Sequence, residues 1–128
     1  MPRTMLLVFS LCVPALAAAA EYDCKVKKKV DFGFSYTAEQ LEEGKHSVKI
    51  EEGKKETFVS RCSFSTIAQK ITCDRYQMDM VVLDEYVKIK KYYLFRSQLD
   101  VQLFPDFSFI ENNGRGSVAY GKCRFTAP

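Results

Sequence analysis

From Glu21 onward, apolar residues recur mostly at every second position. Tyr22, Cys24, Val26, Val30, Phe32 and Phe34 fall on even positions with lysines among them, the pattern of a strand buried on one face. Ser35 to Gly44 breaks the alternation. There, Thr37-Ala38-Glu39-Gln40 has capping-box spacing and Leu41 offers one apolar contact, so the segment reads either as a short helix ending at Gly44 or as a polar loop. His46 to Glu52 carries Val48 and Ile50, and after the turn Gly53-Lys54-Lys55 the stretch Glu56–Ser65 alternates through Phe58, Cys62 and Phe64. Lys70–Leu83, Tyr86–Ser97, Leu99–Leu103, Phe107–Phe109 and Ser117–Phe125 follow, separated by Asp84-Glu85, Pro105-Asp106 and Asn112-Asn113-Gly114, all turn signals.

Turn signals thus recur at short intervals, with no long helical period between them. This predicts an all-β fold of about eight short strands with at most one short helix. Near-sequential hairpins favour a small antiparallel meander barrel over a sandwich.

The first twenty residues have a different pattern. Arg3 precedes the short apolar run Met5–Leu16, and Ala18-Ala19-Ala20 stands before Glu21. This is the layout of a secretory signal peptide with a small-x-small cleavage site. The run is short of the roughly 20 residues that span a bilayer. Residues 1–20 therefore read as a signal of bacterial type and residues 21–128 as a single exported β domain. The expected location is periplasmic or secreted, with no transmembrane segment in the mature chain. Cys12 follows Phe9-Ser10-Leu11, which is not a lipid-anchor pattern.

Removing the signal changes the cysteine count and hardly changes the charge. Cys12 leaves, and Cys24, Cys62, Cys73 and Cys123 remain, an even set in an oxidising compartment. Their spacings of 38, 11 and 50 contain no Cys-x-x-Cys pair of the kind zinc sites use. Cys62 and Cys73 sit on consecutive strands and face each other across a four-residue loop. Cys24 lies on the first strand and Cys123 on the last, which are neighbours in a closed barrel. The expected disulfides are Cys24–Cys123 and Cys62–Cys73. Without Arg3 there are 18 basic against 16 acidic residues, a net charge of +2, too mild to imply a nucleic acid. Lys25–Lys29, Lys54–Lys55 and Lys88–Lys91 are basic clusters that read as solvated strand faces or as a surface for an anionic partner.

Chemistry-bearing patterns are sparse. His46 is the sole histidine, there is no Gly-x-Ser-x-Gly elbow, and bonded cysteines supply no nucleophile. Asp74-Arg75 and Asp79 interrupt the strand Lys70–Leu83 and read as a salt bridge, a bulge or a polar group in a ligand cavity. Gly114-Arg115-Gly116 precedes a strand rather than a helix, so it is a hairpin turn with Arg115 at its tip. Lys88, Lys90 and Tyr92 alternate opposite Val87, Ile89 and Tyr93, which predicts a solvent-facing stripe. Lys88, Lys90, Tyr92 and Arg115 are the candidate binding residues. No catalytic residue, metal ligand or cofactor is expected.

In size and strand pattern the chain looks broadly similar to small disulfide-tied periplasmic barrels of the lysozyme-inhibitor kind, an analogy of fold alone. The expected function is a non-enzymatic binding module for a protein partner or a small apolar ligand, inhibitor-like or a host-directed secreted factor. A small secreted hydrolase and a structural envelope protein are the alternatives.

Overall fold

The structure, a computed structural model, describes residues 20–127; the segment read as a signal, 1–20, lies outside the described residues except for Ala20, the first residue of the first strand. Among them run ten strands and one helix: β1 (Ala20–Asp31), β2 (Phe34–Ser35), α1 (Ala38–Gly44), β3 (Ser47–Glu52), β4 (Thr57–Ser65), β5 (Lys70–Gln77), β6 (Met80–Leu83), β7 (Lys90–Leu94), β8 (Leu99–Leu103), β9 (Ser108–Asn112) and β10 (Ser117–Ala127). A single 3₁₀ turn, Phe95–Ser97, links β7 to β8. The all-β, barrel-like architecture is as the alternation predicts. The strand number rises from eight to ten because two predicted strands are each broken once.

The first break is at Phe32-Gly33, where both residues take positive φ (45° and 84°) and β2 folds back onto β1. The second is at Met78-Asp79. Met78 N donates to Thr57 O and Asp79 N to Tyr93 O, each at 2.8 Å, while Asp79 Oδ2 accepts from Phe95 N at 2.8 Å. Before this joint the chain pairs with β4 and after it with β7. Asp79 therefore holds a strand switch, and its carboxylate is spent on backbone.

All sheet neighbours are antiparallel, in the order β5–β4–β3–β1–β10–β9–β8–β7–β6, with β2 added to β1. The first and last long strands are central neighbours, and the sheet curls until its two end strands are halves of one chain stretch. Cys24 lies directly opposite Cys123, and Cys62 directly opposite Cys73. Both pairs are disulfide-bonded, with S–S distances of 2.03 and 2.00 Å. Two such bonds point to an oxidising compartment. No helix among the described residues is long and apolar enough to cross a membrane.

Register decides which side chains fill the curl. Val26 is opposite Gly121, but Lys28 is opposite Tyr120. Lys27 is the extra residue of a bulge, and the inward parity of β1 changes there. Cys24 and Val26 are buried before it; Lys29 faces the buried Ala119 and Asp31 the buried Ser117 after it. The even-position reading of β1 therefore fails beyond Val26, and Phe32 and Phe34 are exposed. Gly121 lets β1 approach at this bulge: a Cβ there would lie 1.9 Å from Lys25 O. The apolar core is built from Val48, Ile50, Val59, Val101 and Phe109, all almost wholly buried. Burying one such side chain contributes about 1.5–3 kcal/mol.

Candidate functional site

Two polar constellations occupy opposite faces of the β1–β3–β4 sheet. Directly paired residues share a face, so Cys24, Val48 and Arg61 point one way and Asp23, Lys25, Ser47, Lys49 and Cys62 the other.

On the inner face, Arg61 of β4 forms an ion pair with Glu111 of β9, whose side chain is 5% exposed. Nε of Arg61 has no aligned hydrogen-bond acceptor, so the contact is ionic rather than a hydrogen bond. Burial pushes the Glu111 carboxyl above its ordinary range, while Arg61 and then Lys29 pull it back. Asp31 accepts from the Tyr36 hydroxyl at 2.6 Å. The neighbouring Ser117 and the Tyr36 hydroxyl hold its carboxyl below the usual carboxylate range. His46 is half-buried beside the Tyr36 ring, 6.0 Å between centroids, and burial lowers its pKa. Arg61, Glu111 and His46, with Lys29 and Ser117, line a polar cleft of about 150 Å³.

Farther along the interior, Glu52 accepts from the Tyr92 hydroxyl, and Lys90 Nζ lies 2.9 Å from Glu52 Oε1. This corrects the predicted stripe. Tyr92 is fully buried, and burial followed by its bond to Glu52 raises its pKa. Lys90 is half-buried in an ion pair, and Lys88 is an exposed turn residue with φ 58°. Val87 and Ile89 belong to the β6–β7 turn, so they do not set the parity of β7. That parity is set by Tyr92 and Leu94, which are inward. Arg115 is exposed on the β9–β10 turn, as its flanking glycines predict.

On the outer face, α1 forms one wall of a groove of about 700 Å³. The helix forms as the capping box predicts: Thr37 Oγ1 accepts from Gln40 N, and Gln40 Oε1 accepts from Thr37 N. Leu41 is its buried anchor. Lys45 ends it in the left-handed conformation, φ 46°, and returns the chain to β3. Leu41, Ile71 and Cys62 supply apolar surface to the groove. Its other walls carry Lys25 and Lys27 of β1, Lys45 after α1, Lys49 of β3, and Lys122 and Arg124 of β10, against only Asp23 and Glu42.

Three of these cations are engaged at the rim. Lys25 pairs with Glu42 at 3.4 Å, Lys122 with Asp106 at 3.2 Å, and Arg124 with Asp23 at 3.7 Å. Such exposed pairs contribute about 0–1 kcal/mol and exchange readily. Lys27, Lys45 and Lys49 have no carboxylate partner among the described residues. The arrangement suits an amphipathic anion: apolar surface within, positive charge around it. The Lys25–Lys29 run is visible in the sequence, but only strand order brings it together with Lys45, Lys49 and Lys122. None of Lys88, Lys90, Tyr92 and Arg115 lines this groove. No cluster of three His, Cys, Asp or Glu side chains able to hold a metal occurs among the described residues. The chain matches no family model, no curated protein and no solved structure.

Proposed function

We propose that this chain is a non-enzymatic binding module of the periplasm or the secreted space, inhibitor-like in action, that docks an acidic segment of a partner protein in the groove beside α1. The observation that carries the reading is the set Lys27, Lys45 and Lys49, unpaired cations among the described residues, set around the apolar Leu41 and Ile71. An apolar side chain in the groove gives affinity, and carboxylates meeting the lysines give register and a fast encounter. Asp23 and Glu42 at the same rim repel an unbroken polyanion, which favours an acidic peptide over a nucleic acid.

The test uses a labelled peptide of alternating Glu and Leu, titrated at low and at physiological salt. Binding should be saturable, weaken with salt, and fall at least tenfold in Lys27→Glu/Lys45→Glu/Lys49→Glu. The three lysines are at the surface, so the variant should keep its fold, checked by circular dichroism. Equal binding by the folded variant would remove the reading.

A further inference from the structure

Another cleft lies at the end of the barrel where β4, the 3₁₀ turn and the β9–β10 turn meet. It measures about 170 Å³ and is lined by Arg61, Arg96 and Arg115 together with Tyr76, Ser97 and Asn113. We propose that this three-arginine cleft is a binding site for a tetrahedral oxyanion, a phosphate or sulfate group.

The charge arithmetic points to an anion. Arg61 is compensated by Glu111. Arg96 and Arg115 are exposed and have no carboxylate partner among the described residues. No carboxylate lines the cleft itself. Bringing two uncompensated guanidiniums to one cleft is unfavourable by itself. Arginine presents a planar fork of donors that matches phosphate and sulfate oxygens in pairs. The hydroxyls of Ser97 and Tyr76 add neutral donors to the lining. The volume equals that of roughly five or six waters, enough for one oxyanion and part of its hydration shell.

The fold holds the two free arginines together by a specific contact between loops. Asn113 Oδ1 accepts from Arg115 N at 2.7 Å and Ser117 N at 3.1 Å, and Asn112 Oδ1 accepts from Gly114 N at 2.8 Å. These bonds shape the β9–β10 turn from within. Gly114 then lies against the end of the 3₁₀ turn: a Cβ there would be 2.6 Å from Gln98 O and 2.8 Å from Ser97 O. With φ 72°, the position also favours glycine. Arg96 and Arg115 are the residues flanking this contact, so the close approach of the turns brings both guanidiniums to one opening. The site is separate from the groove beside α1, since the two share no lining residue.

The test is an NMR titration of arginine side-chain Nε–H signals with inorganic phosphate, sulfate and a phosphoserine peptide, with chloride at matched ionic strength as control. Saturable shifts at Arg96 and Arg115 with any of the three oxyanions are expected. Arg96→Gln and Arg115→Gln should each weaken binding at least tenfold, whereas Lys27→Glu/Lys45→Glu/Lys49→Glu should leave it within twofold. Tighter binding of the phosphoserine peptide than of inorganic phosphate assigns the site to an esterified group on a partner; the reverse assigns it to the free anion. Both arginines are exposed, so these variants should keep the amide spectrum of the core. Shifts that chloride reproduces, that do not saturate, or that survive both substitutions overturn the proposal.

Discussion

Replacing Arg61 by Leu strands Glu111 in the interior, and the size of the penalty depends on pH in a calculable way. The Glu111 side chain is 5% exposed, and Arg61 is its only ion-pair partner among the described residues. Without Arg61 the carboxylate must stay charged without its partner or take up a proton. Protonation sets the ceiling. From the ordinary carboxyl value of 4.5, neutralising the group at pH 7 costs about 3.4 kcal/mol, at 1.36 kcal/mol per pH unit. Part of this is already borne by the wild type, where burial holds Glu111 above its ordinary value, and Lys29 also acts on it, so the expected loss at pH 7 is about 2 kcal/mol. That lies below the lower end of the range for broken buried pairs. It corresponds to a fall in Tm of roughly 8–16 °C.

The sign follows from linkage. A carboxyl whose folded pKa is raised binds more protons folded than unfolded, so the variant regains stability as pH falls. At pH 5 the ceiling is only about 0.7 kcal/mol, from the same 1.36 kcal/mol per unit. Urea denaturation of wild type and Arg61→Leu at pH 7, 6 and 5 measures the difference directly. The double variant Arg61→Leu/Glu111→Leu should lose the pH dependence and recover most of the stability. A loss that is the same at pH 7 and pH 5, or a double variant no better than the single, would refute the reasoning.

Three further outcomes are expected. Cys24→Ser/Cys123→Ser should destabilise more than Cys62→Ser/Cys73→Ser, by about 2 kcal/mol in the chain-entropy account, because the sequence separations are 99 and 11; equal shifts in Tm would count against it. Gly121→Ala should cost well over 1 kcal/mol, since its Cβ would meet Lys25 O and the Phe109 ring at 1.9 and 2.6 Å; urea denaturation at constant slope checks this. His46 has a folded pKa lowered mainly by burial, so it contributes stability that is present above its unfolded pKa and lost as pH falls through the folded one. Stability of His46→Gln should accordingly vary less with pH below about 6.5 than wild type, and an identical pH profile would remove His46 as the cause.

Alternation read the outline of this fold because most strands keep one face buried. It also read both disulfides, because the first and last strands had to meet and Cys62 and Cys73 had to face each other across a short loop. Three local events were not legible. The bulge at Lys27 reverses which residues of β1 point inward, and a single extra residue leaves no mark in a lysine-rich run. Asp79 is visible in the sequence as an interruption of Lys70–Leu83, but the bond its carboxylate accepts from Phe95 N across the strand switch is a tertiary contact that no local pattern marks. Tyr92 and Lys90 turn inward because Glu52 on β3 receives them both. Period-two reasoning instead assigned the inner face to Val87 and Ile89, which a positive φ at Lys88 places in a turn. The groove was hidden for a related reason: its cations come from β1, β3, β10 and the end of α1, and strand order alone assembles them.

The most direct test of the acidic-segment groove is chemical-shift mapping of residues 21–128 with the alternating Glu–Leu peptide. Saturable perturbations centred on Lys25, Lys27, Lys45 and Lys49 are expected, with the Leu41 and Ile71 methyls shifting in step as apolar side chains enter. Perturbations centred instead on the exposed β6–β7 hairpin, or none that saturate, would contradict it.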